Sequence, residues 1–204
     1  MDEFDRGRDG RSSDLASGGG VPPWIASSLN FCSRCGSSLQ FRLVDGEDRE
    51  RLACSDCGHI AYVNPRLVVT VFPITEAGEI VLIRRGIEPR IGWWAQPGGF
   101  LEVDETVNQA AIRETLEETG LLVEPGEMIG LYTRLEAAVV TLVFEAQIVG
   151  GTAAPTPEAV EVRAFAPEDI PWSGIAFATT TWALRDWLER RRPDLDWPEE
   201  NAGR

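Results

Sequence analysis

Three glutamates at short spacing, Glu114, Glu117 and Glu118, are the side chains of this sequence best suited to chemistry. On a helix, this i, i+3, i+4 spacing places all three carboxylates on one face. Like charges at this spacing cost a helix roughly 0.2–0.5 kcal/mol per pair, and the helix dipole disfavours anions near the carboxyl end. A hard divalent cation would remove both penalties, so the pattern indicates a site for Mg²⁺ or Mn²⁺. A solvated acidic face is the alternative from spacing alone.

The element that must carry these glutamates is a helix, which the sequence predicts between residues 105 and 119. This segment contains neither glycine nor proline, and it is rich in alanine, leucine and glutamate, which favour helices. Gly120 follows where a helix commonly ends on a left-handed residue. A neighbouring face of the same helix is mostly apolar. It contains Ala111, Ile112, Thr115 and Leu116.

Residues 98–121 resemble the Nudix box, G-x5-E-x7-R-E-U-x-E-E-x-G-U, where U is an apolar residue. The sequence matches the box at Gly99, Glu105, Arg113, Glu114, Glu117, Glu118, Gly120 and Leu121. The one departure is Thr115 at the first U position, where its methyl group can still pack. The resemblance implies a Nudix hydrolase of the α/β (α+β) class. Its fold would be an α/β/α sandwich with a mixed sheet, preceded here by a small four-cysteine domain.

The resemblance also implies a metal site and a reaction. Glu114, Glu117 and Glu118 would hold one or more Mg²⁺ or Mn²⁺ ions, with the backbone carbonyl of Gly98 as a further ligand. Members of this family hydrolyse a nucleoside diphosphate linked to another group. The cations neutralise the phosphate oxygens and lower the pKa of the attacking water.

Proton transfer and positioning involve other residues. Either Glu114 or Glu118, or a carboxylate on a later loop, would take the proton from water. The candidates for that later carboxylate are Glu145, Glu158 and Glu161. We expect Arg113 and Glu105 to pair, which would fix the helix against the loop that precedes it.

Candidate substrate contacts lie outside the box. Arg84 and Arg85 end a predicted strand and could pair with phosphate, while a solvated strand end is an equal alternative. Trp94 could stack on a ring, although an aromatic residue in a strand is more often part of the core. Glu161 is a third candidate for substrate binding.

Two CxxC pairs indicate a second metal site. Eighteen residues separate Cys32 and Cys35 from Cys54 and Cys57, and a glycine follows each pair. Four thiolates at this spacing predict a tetrahedral Zn²⁺ site. Two disulfides are the competing interpretation, which a cytosolic location disfavours, and no thioredoxin-like pattern supports a redox pair. Because the cysteines fill all four positions, the zinc would be structural.

The ribbon segment, residues 31–63, has too little core of its own and would need the metal to fold. His59, the only histidine, lies two residues past Cys57. We expect it to be a surface residue beside the ribbon rather than a base or a ligand. With a single histidine in the sequence, a Ser-His-Asp or Cys-His catalytic mechanism is disfavoured.

Length and charge restrict the partners. The chain has 204 residues, of which 43% are hydrophobic, enough for one sizeable core and a small satellite domain. Its net charge of −14 would repel a nucleic-acid backbone, whereas a small nucleotide bound through cations remains compatible. No apolar run approaches the roughly 18–20 residues of a membrane span, and no secretory signal is recognisable. We therefore expect a cytoplasmic protein without membrane or nucleic-acid partners.

The sequence divides into four segments. These are a disordered tail (1–30), the zinc ribbon (31–63), the Nudix domain (64–192) and a loose C-terminal tail (193–204). A hairpin is predicted between the two cysteine pairs, around Asp45 and Gly46. Further strands are predicted at 67–74, 79–85, 128–136, 138–149 and 161–165, a single helical turn at 167–171, and a helix at 179–192.

The zinc ribbon indicates which branches of the family this chain resembles. NADH pyrophosphatases carry such a ribbon and also a block S-Q-P-W-P-F-P-x-S after the box, but residues 126–140 contain nothing similar. Over about residues 31–187 the chain looks closer to the ribbon-bearing ADP-ribose and FAD pyrophosphatases. These would convert FAD to FMN and AMP, or ADP-ribose to AMP and ribose 5-phosphate. NADH hydrolysis is the alternative, and such enzymes are often homodimers.

Two interpretations from other functional classes remain. A module that senses a nucleotide without cleaving it would be expected to lack a box carboxylate, and none is missing. An RNA-binding or decapping protein could use the arginines of the ribbon, but the net charge and the missing aromatic platform weigh against it. Those arginines are Arg34, Arg42, Arg49 and Arg51.

Overall fold

The computed structural model describes residues 20–195, which form two compact units. One unit contains the residues up to 65 together with 135–138, and the other contains 66–134 and the residues from 139 onward. The tails predicted at 1–30 and 193–204 fall largely outside the described residues, since 1–19 and 196–204 are not described. Within 20–30 the chain forms one helical turn, α1 (Pro23–Ala26), which begins with a proline.

The first unit contains a three-stranded antiparallel sheet. Its strands are β1 (Leu39–Leu43), β2 (Glu50–Cys54) and β3 (Ile60–Ala61). β1 and β2 form the hairpin predicted between the cysteine pairs, and Gly46 has a φ of 88° in its turn, a conformation that favours glycine. The buried core of this unit consists of Cys32, Leu39, Leu52 and Cys54. So small a core needs an additional crosslink to be stable.

The second unit contains a seven-stranded sheet and two longer helices among the described residues. Its strands are β4 (Arg66–Ile74), β5 (Ile80–Arg85), β6 (Trp94–Ala95), β7 (Gly98–Phe100), β8 (Leu121–Arg134), β9 (Val139–Gly151) and β10 (Ala159–Phe165). The helices are α2 (Val107–Thr119) and α3 (Ala178–Arg191), and 3-10 turns cover Pro167–Asp169 and Trp172–Gly174. The predicted helical turn near 167 and the C-terminal helix are confirmed.

The sheet has the strand order β10-β5-β4-β9-β8, with β6 beside β5 and β7 beside β4. β4 and β9 run parallel, whereas the other pairs are antiparallel. The connection between β4 and β9 passes through α2, which lies over β4 and β8. The sheet is therefore mixed, as predicted.

Side-chain alternation along β4 divides the core into two layers. Val69 and Val71 pack with Ala110 of α2 on one face. Phe72 points to the other face, where it packs with Leu184 of α3. The two helices thus cover opposite faces, which we call the α2 face and the α3 face, and the expected α/β/α sandwich is confirmed.

Helix α2 has a defined start and end. At its start Thr106 and Gln109 form a capping box, in which the Thr106 hydroxyl accepts from the Gln109 N–H at 3.3 Å and the Gln109 side chain accepts from the Thr106 N–H at 2.8 Å. At its end Gly120 has a φ of 74°, and its N–H donates to the carbonyl of Leu116. The left-handed end predicted at Gly120 is confirmed.

The buried stripe of α2 differs from the apolar face read off the sequence. Ala111, Thr115 and Glu118 are buried, whereas Ile112 and Leu116 are 36% and 43% exposed. The stripe facing the sheet runs i, i+4, i+7, and the two larger apolar residues lie one position further round the helix. Thr115 fits this inner stripe because its hydroxyl donates to the Ala111 carbonyl at 2.6 Å.

The edge strand β8 begins earlier than predicted. It starts at Leu121, directly after α2, rather than near residue 128. Its pairing with β9 is irregular between Pro125 and Gly130, which breaks the alternation that marks a strand in the sequence. Within residues 20–195, no helix has the length and hydropathy needed to cross a membrane.

Candidate active site and cysteine cluster

Arg113 connects the box helix to the preceding loop. Its Nε donates to Oε2 of Glu105 at 2.9 Å, which confirms the predicted pair. Its remaining N–H groups reach Glu114 at 2.7 Å and Glu117 at 3.2 Å, and the backbone carbonyl of Phe100 at 3.2 Å. One guanidinium therefore fixes three carboxylates and one loop carbonyl, which the planar fork of arginine allows and a lysine could not reproduce.

Glu105 is held as an anion. Arg113 donates to both of its oxygens, and the backbone N–H of Glu102 donates to Oε1 at 2.9 Å. These hydrogen bonds lower the pKa of Glu105 to about 2, and they raise the pKa of Arg113 further above its usual value. The pair is thus ionised at any working pH and acts as a structural clamp.

Glu118 lies in the interior against the Gly98 turn. The side chain is 8% exposed, and its Oε2 accepts from the Gly98 N–H at 2.8 Å. Burial raises the pKa of Glu118 to about 7, and the charge on Glu114 adds to this, whereas the bond from Gly98 opposes it. A buried carboxylate beside a second carboxylate carries an electrostatic cost that a bound cation would offset.

Glycine is required at both positions of the turn. A Cβ on Gly98 would collide with the backbone carbonyl of Val69, and its φ of 147° disfavours other residues. A Cβ on Gly99 would lie 2.6 Å from Oε2 of Glu114. The turn therefore approaches the carboxylates more closely than any side chain would permit.

The three box glutamates differ in their surroundings. Glu118 is buried, Glu114 is half-buried with its pKa raised by burial, and Glu117 is exposed. Among the described residues they do not form a group with all ligand atoms within 4.8 Å of one another. As a donor set they fit a hard cation, because they offer only carboxylate oxygens beside an open backbone turn. Closing round a cation would therefore require side-chain movements.

Of the candidate later carboxylates, Glu145 lies on the wrong side of the sheet. It aligns with Phe72 in the β4–β9 pair, so it points to the α3 face. There it accepts from Trp187 Nε1 at 2.7 Å and from Arg191 at 2.9 Å. The sheet separates Glu145 from α2, so Glu145 does not join the box glutamates.

Glu158 lies near enough to the buried Glu118 for its charge to act on that carboxylate. Its charge contributes to the raised pKa of Glu118, and that of Arg85 opposes it. Both residues lie where the ends of β5 and β10 meet, because the Gly86 N–H donates to the Glu158 carbonyl at 2.7 Å. Arg85 is fixed by the Pro89 carbonyl at 2.8 Å and lies over the ring of Phe177.

The predicted substrate contacts Arg84, Trp94 and Glu161 form one cluster. Arg84 aligns with both others across β5, β6 and β10, and its guanidinium lies 3.6 Å from Glu161. Arg163, which the sequence did not single out, pairs with Glu161 at 2.7 Å and lies over the ring of Trp94. Arg84 shares its face with Leu82, which packs against α3. The cluster is therefore on the α3 face, away from the box glutamates.

The four cysteines converge as predicted. Their sulfur atoms all lie within 4.8 Å of one another, with Cys32 and Cys57 3.6 Å apart and Cys35 and Cys54 3.5 Å apart. Disulfides would require about 2.05 Å. Backbone and side-chain hydrogen bonds from Ser37 lower the pKa of Cys35 to about 6, which favours the thiolate that metals bind.

The turns at the two cysteine pairs, which we call knuckles, and the position of His59 match the expected ribbon. Gly36 and Gly58 have φ angles of 80° and 72°, and their N–H groups donate back to the carbonyls of Cys32 and Cys54. His59 lies 3.5 Å from the hydroxyl of Ser33 and outside the cysteine cluster. The cluster thus has the ligand number and arrangement of a closed tetrahedral site.

Family models match two parts of this chain. The NUDIX domain matches residues 64–190, and a zinc-ribbon family described as Nudix N-terminal matches residues 30–63.

Curated relatives carry three kinds of name. A MutT-like protein of Streptomyces ambofaciens is 36% identical over 97 residues, 48% of this chain and 61% of that protein. An ADP-ribose pyrophosphatase of Methanocaldococcus jannaschii is 33% identical over 114 residues, 54% of this chain and 67% of that protein. An NAD-capped RNA hydrolase NudC of Stutzerimonas stutzeri is 29% identical over 177 residues, 85% of this chain and 62% of that protein. The alignments thus span about two thirds of the relatives' length or less.

Solved structures give the same fold. A NUDIX hydrolase from Nitrosomonas europaea is 36% identical with a TM-score of 0.76, covering 81% of this chain and 93% of that one. An ADP-ribose pyrophosphatase from Streptococcus suis is 25% identical with a TM-score of 0.51, covering 66% of this chain and 97% of that one.

Proposed function

Since the chain belongs to the Nudix hydrolase family, we propose that it is a Mg²⁺-dependent pyrophosphatase acting on ADP-ribose or FAD. ADP-ribose would give AMP and ribose 5-phosphate, and FAD would give FMN and AMP. The observation that carries the proposal is that α2 presents all three box glutamates, with Glu118 buried against the Gly98 turn. Relatives named ADP-ribose pyrophosphatase support this substrate class.

The metal site would be built from the box. Glu114, Glu117 and Glu118 would hold Mg²⁺, or Mn²⁺, together with the carbonyl of Gly98. The bound ion would neutralise phosphate charge and lower the pKa of water. Arg113 positions these carboxylates through its hydrogen bonds to Glu114 and Glu117.

Two further residues whose charges act on Glu118 complete the proposed site. Glu158 is the later carboxylate that would help accept a proton from water, because its charge acts on Glu118. Arg85 would bind a phosphate oxygen, since its guanidinium is held by loop carbonyls next to the carboxylates. Arg84 is less suited to this role because it already pairs with Glu161 on the opposite face.

The α3-face cluster has a different proposed role. Trp94, Arg84 and Glu161 are already engaged with one another and with Arg163 and Phe165. Their proposed role is therefore to stabilise the packing on the α3 face rather than to bind phosphate. We assign Zn²⁺ to the cysteine cluster, where it would hold the ribbon together without touching substrate.

The NudC relatives favour a second candidate function, hydrolysis of NADH or of NAD-capped RNA. Against it stand the net charge of −14 and the missing NADH-type block in residues 126–140. A non-hydrolytic sensor is disfavoured because every box carboxylate is present. A cytoplasmic location and a homodimer remain predictions.

Product analysis tests the proposal. Purified protein with Mg²⁺ is incubated separately with FAD, ADP-ribose, NADH, NAD, a diadenosine polyphosphate and NAD-capped RNA, and products are identified by mass spectrometry. We expect AMP from ADP-ribose or FAD, and a loss of activity in Glu118→Gln but not in the exposed control Glu124→Gln. Release from none of these compounds, or full activity in Glu118→Gln, would refute the proposal. A preference for capped RNA that falls steeply with salt would favour the second candidate.

A further inference from the structure

Gln96 is a buried polar residue outside the box, two positions before Gly98. It is 6% exposed, and its Nε2 donates to the hydroxyl of Thr70 at 3.2 Å. That hydroxyl in turn donates to the Leu142 carbonyl at 3.2 Å. Within residues 20–195, Oε1 of Gln96 has no hydrogen-bond partner. The side chain is thus anchored at one end only, to the central strands β4 and β9.

For folding alone, this amide is a poor choice. A neutral hydrogen bond gives a modest net stabilisation, whereas a buried carbonyl oxygen without a partner loses its hydration without replacement. An apolar side chain of similar shape, such as methionine, would avoid that loss. The presence of glutamine is therefore better explained by what its N–H holds in place than by stability.

The amide holds the turn that supports the buried box glutamate. Thr70 lies opposite Gly98 in the antiparallel pair of β4 and β7. The Gly98 N–H is the donor that reaches Glu118 at 2.8 Å. Anchoring Gln96 to Thr70 holds the chain immediately before the peptide between Pro97 and Gly98. The carbonyl of that peptide accepts from the Val71 N–H at 3.1 Å, so the two contacts together restrain the direction of the Gly98 N–H. The carbonyl in this peptide plane is that of Pro97, and the Gly98 carbonyl belongs to the next plane.

We propose that Gln96 is a positioning residue, which acts through Thr70 to hold the Gly98 peptide against Glu118. The inference rests on the proposed pyrophosphatase function of this site. Gln96 does not touch the reacting atoms in this arrangement. Its loss should therefore weaken cation binding and turnover while leaving the fold and the affinity for the nucleotide unchanged.

Four variants test the contacts that link Gln96 to Thr70. Gln96→Met keeps the shape and removes the amide, Thr70→Val removes the hydroxyl, Thr70→Ser retains it, and a double variant combines the first two. Gln147→Met is the matched control, because Gln147 is exposed on β9. For each, kcat and KM are measured on the dinucleotide that the wild-type protein cleaves. Mn²⁺ affinity is measured by electron paramagnetic resonance without substrate, and the thermal unfolding midpoint by circular dichroism.

We expect Gln96→Met to lower kcat and Mn²⁺ affinity, with kcat reduced by roughly tenfold or more. Its KM should be unchanged and its unfolding midpoint unchanged or higher. Thr70→Val should show the same loss, the double variant no larger one, and Thr70→Ser and Gln147→Met nearly none. This non-additivity is expected if the two residues act as one unit.

Three outcomes would overturn the inference. A lower unfolding midpoint with unchanged kcat and Mn²⁺ affinity would make Gln96 purely structural. A raised KM with unchanged kcat would make it a substrate contact, and additive losses in the double variant would separate it from Thr70. If the wild-type protein cleaves none of the compounds, the proposed function fails, while the Mn²⁺ measurements still decide whether Gln96 supports the cation site.

Discussion

Replacing Gly99 with alanine should inactivate the protein without unfolding it. The added Cβ would lie 2.6 Å from Oε2 of Glu114, so the carboxylate must move by roughly 1 Å to reach an ordinary contact, and a misplacement of about 1 Å can lower a catalysed rate on the order of 10²-fold. The clash involves a side-chain carboxylate rather than backbone, but Arg113 holds that carboxylate at 2.7 Å, so we expect a stability loss of about 1 kcal/mol. Turnover of Gly99→Ala should therefore fall to about 1% of the wild-type value.

The neighbouring substitution Gly98→Ala should instead destabilise the fold. Its Cβ would collide with the Val69 carbonyl and lie 2.6 Å from Cα of Thr70, at a φ of 147°. Backbone atoms of a central strand cannot yield as a side chain does, so we expect a loss of about 2–4 kcal/mol. For a protein of this size, that corresponds to a midpoint lower by roughly 5–15 °C.

The paired experiment measures turnover and the thermal unfolding midpoint for both variants. Gly150→Ala is the control, because its Cβ would meet only Leu122 at an ordinary 3.6 Å. It should match the wild-type protein in both measurements. If Gly99→Ala retained full turnover, Glu114 would not need its present position, and the assignment of a metal-holding role to this carboxylate would be wrong.

Three further predictions concern the clamp, the later carboxylate and the cysteine cluster. Because the pKa of Glu105 is lowered to about 2 from its usual 4.5, its contribution to stability is present above pH 4.5 and is lost as the pH falls toward 2. The unfolding midpoint of the wild-type protein should therefore fall more steeply than that of Glu105→Gln across this window; equal slopes would contradict the clamp. Glu158→Gln should lower turnover by roughly 10–10³-fold, whereas Glu145→Gln, on the other face, should leave turnover intact, and the reverse result would overturn the face assignment. Elemental analysis should find one zinc per chain, and Cys54→Ser should lose it together with the ribbon's protection from proteolysis; a metal-free wild-type protein with an intact ribbon would exclude zinc.

The box helix α2 could be predicted from the sequence because the residues that determine it are close neighbours in the chain. The capping residues, the uninterrupted helix formers and Gly120 all act within a few residues of one another. The cysteine cluster was equally accessible, since the spacing of the two pairs and their glycines determines the knuckles. Local patterns of this kind fix both the element and the residue types that it carries.

The rest of the site depends on which sheet face a side chain occupies. Arg84 and Arg85 are neighbours in sequence but lie on opposite faces of β5, one beside Glu161 and the other beside Glu118. Glu145 is a candidate for the later carboxylate from sequence alone, but the pairing of β9 with β4 places it on the α3 face. Strand order and register arise from long-range contacts, so the sequence pattern could not separate these alternatives.

The direct passage from α2 into β8 through Gly120 has a consequence for the spacing of the motif. The Gly120 carbonyl accepts from the Thr152 N–H, and the Thr119 carbonyl accepts from Ala154, so the junction is held to the far end of β9. No loop is available to absorb an insertion. One extra residue before Gly120 would rotate the carboxylates by about 100° relative to the sheet, and one after it would turn the strand's buried side chains outward. The fixed length of the box therefore keeps the rotation of α2 and the register of β8 matched to each other.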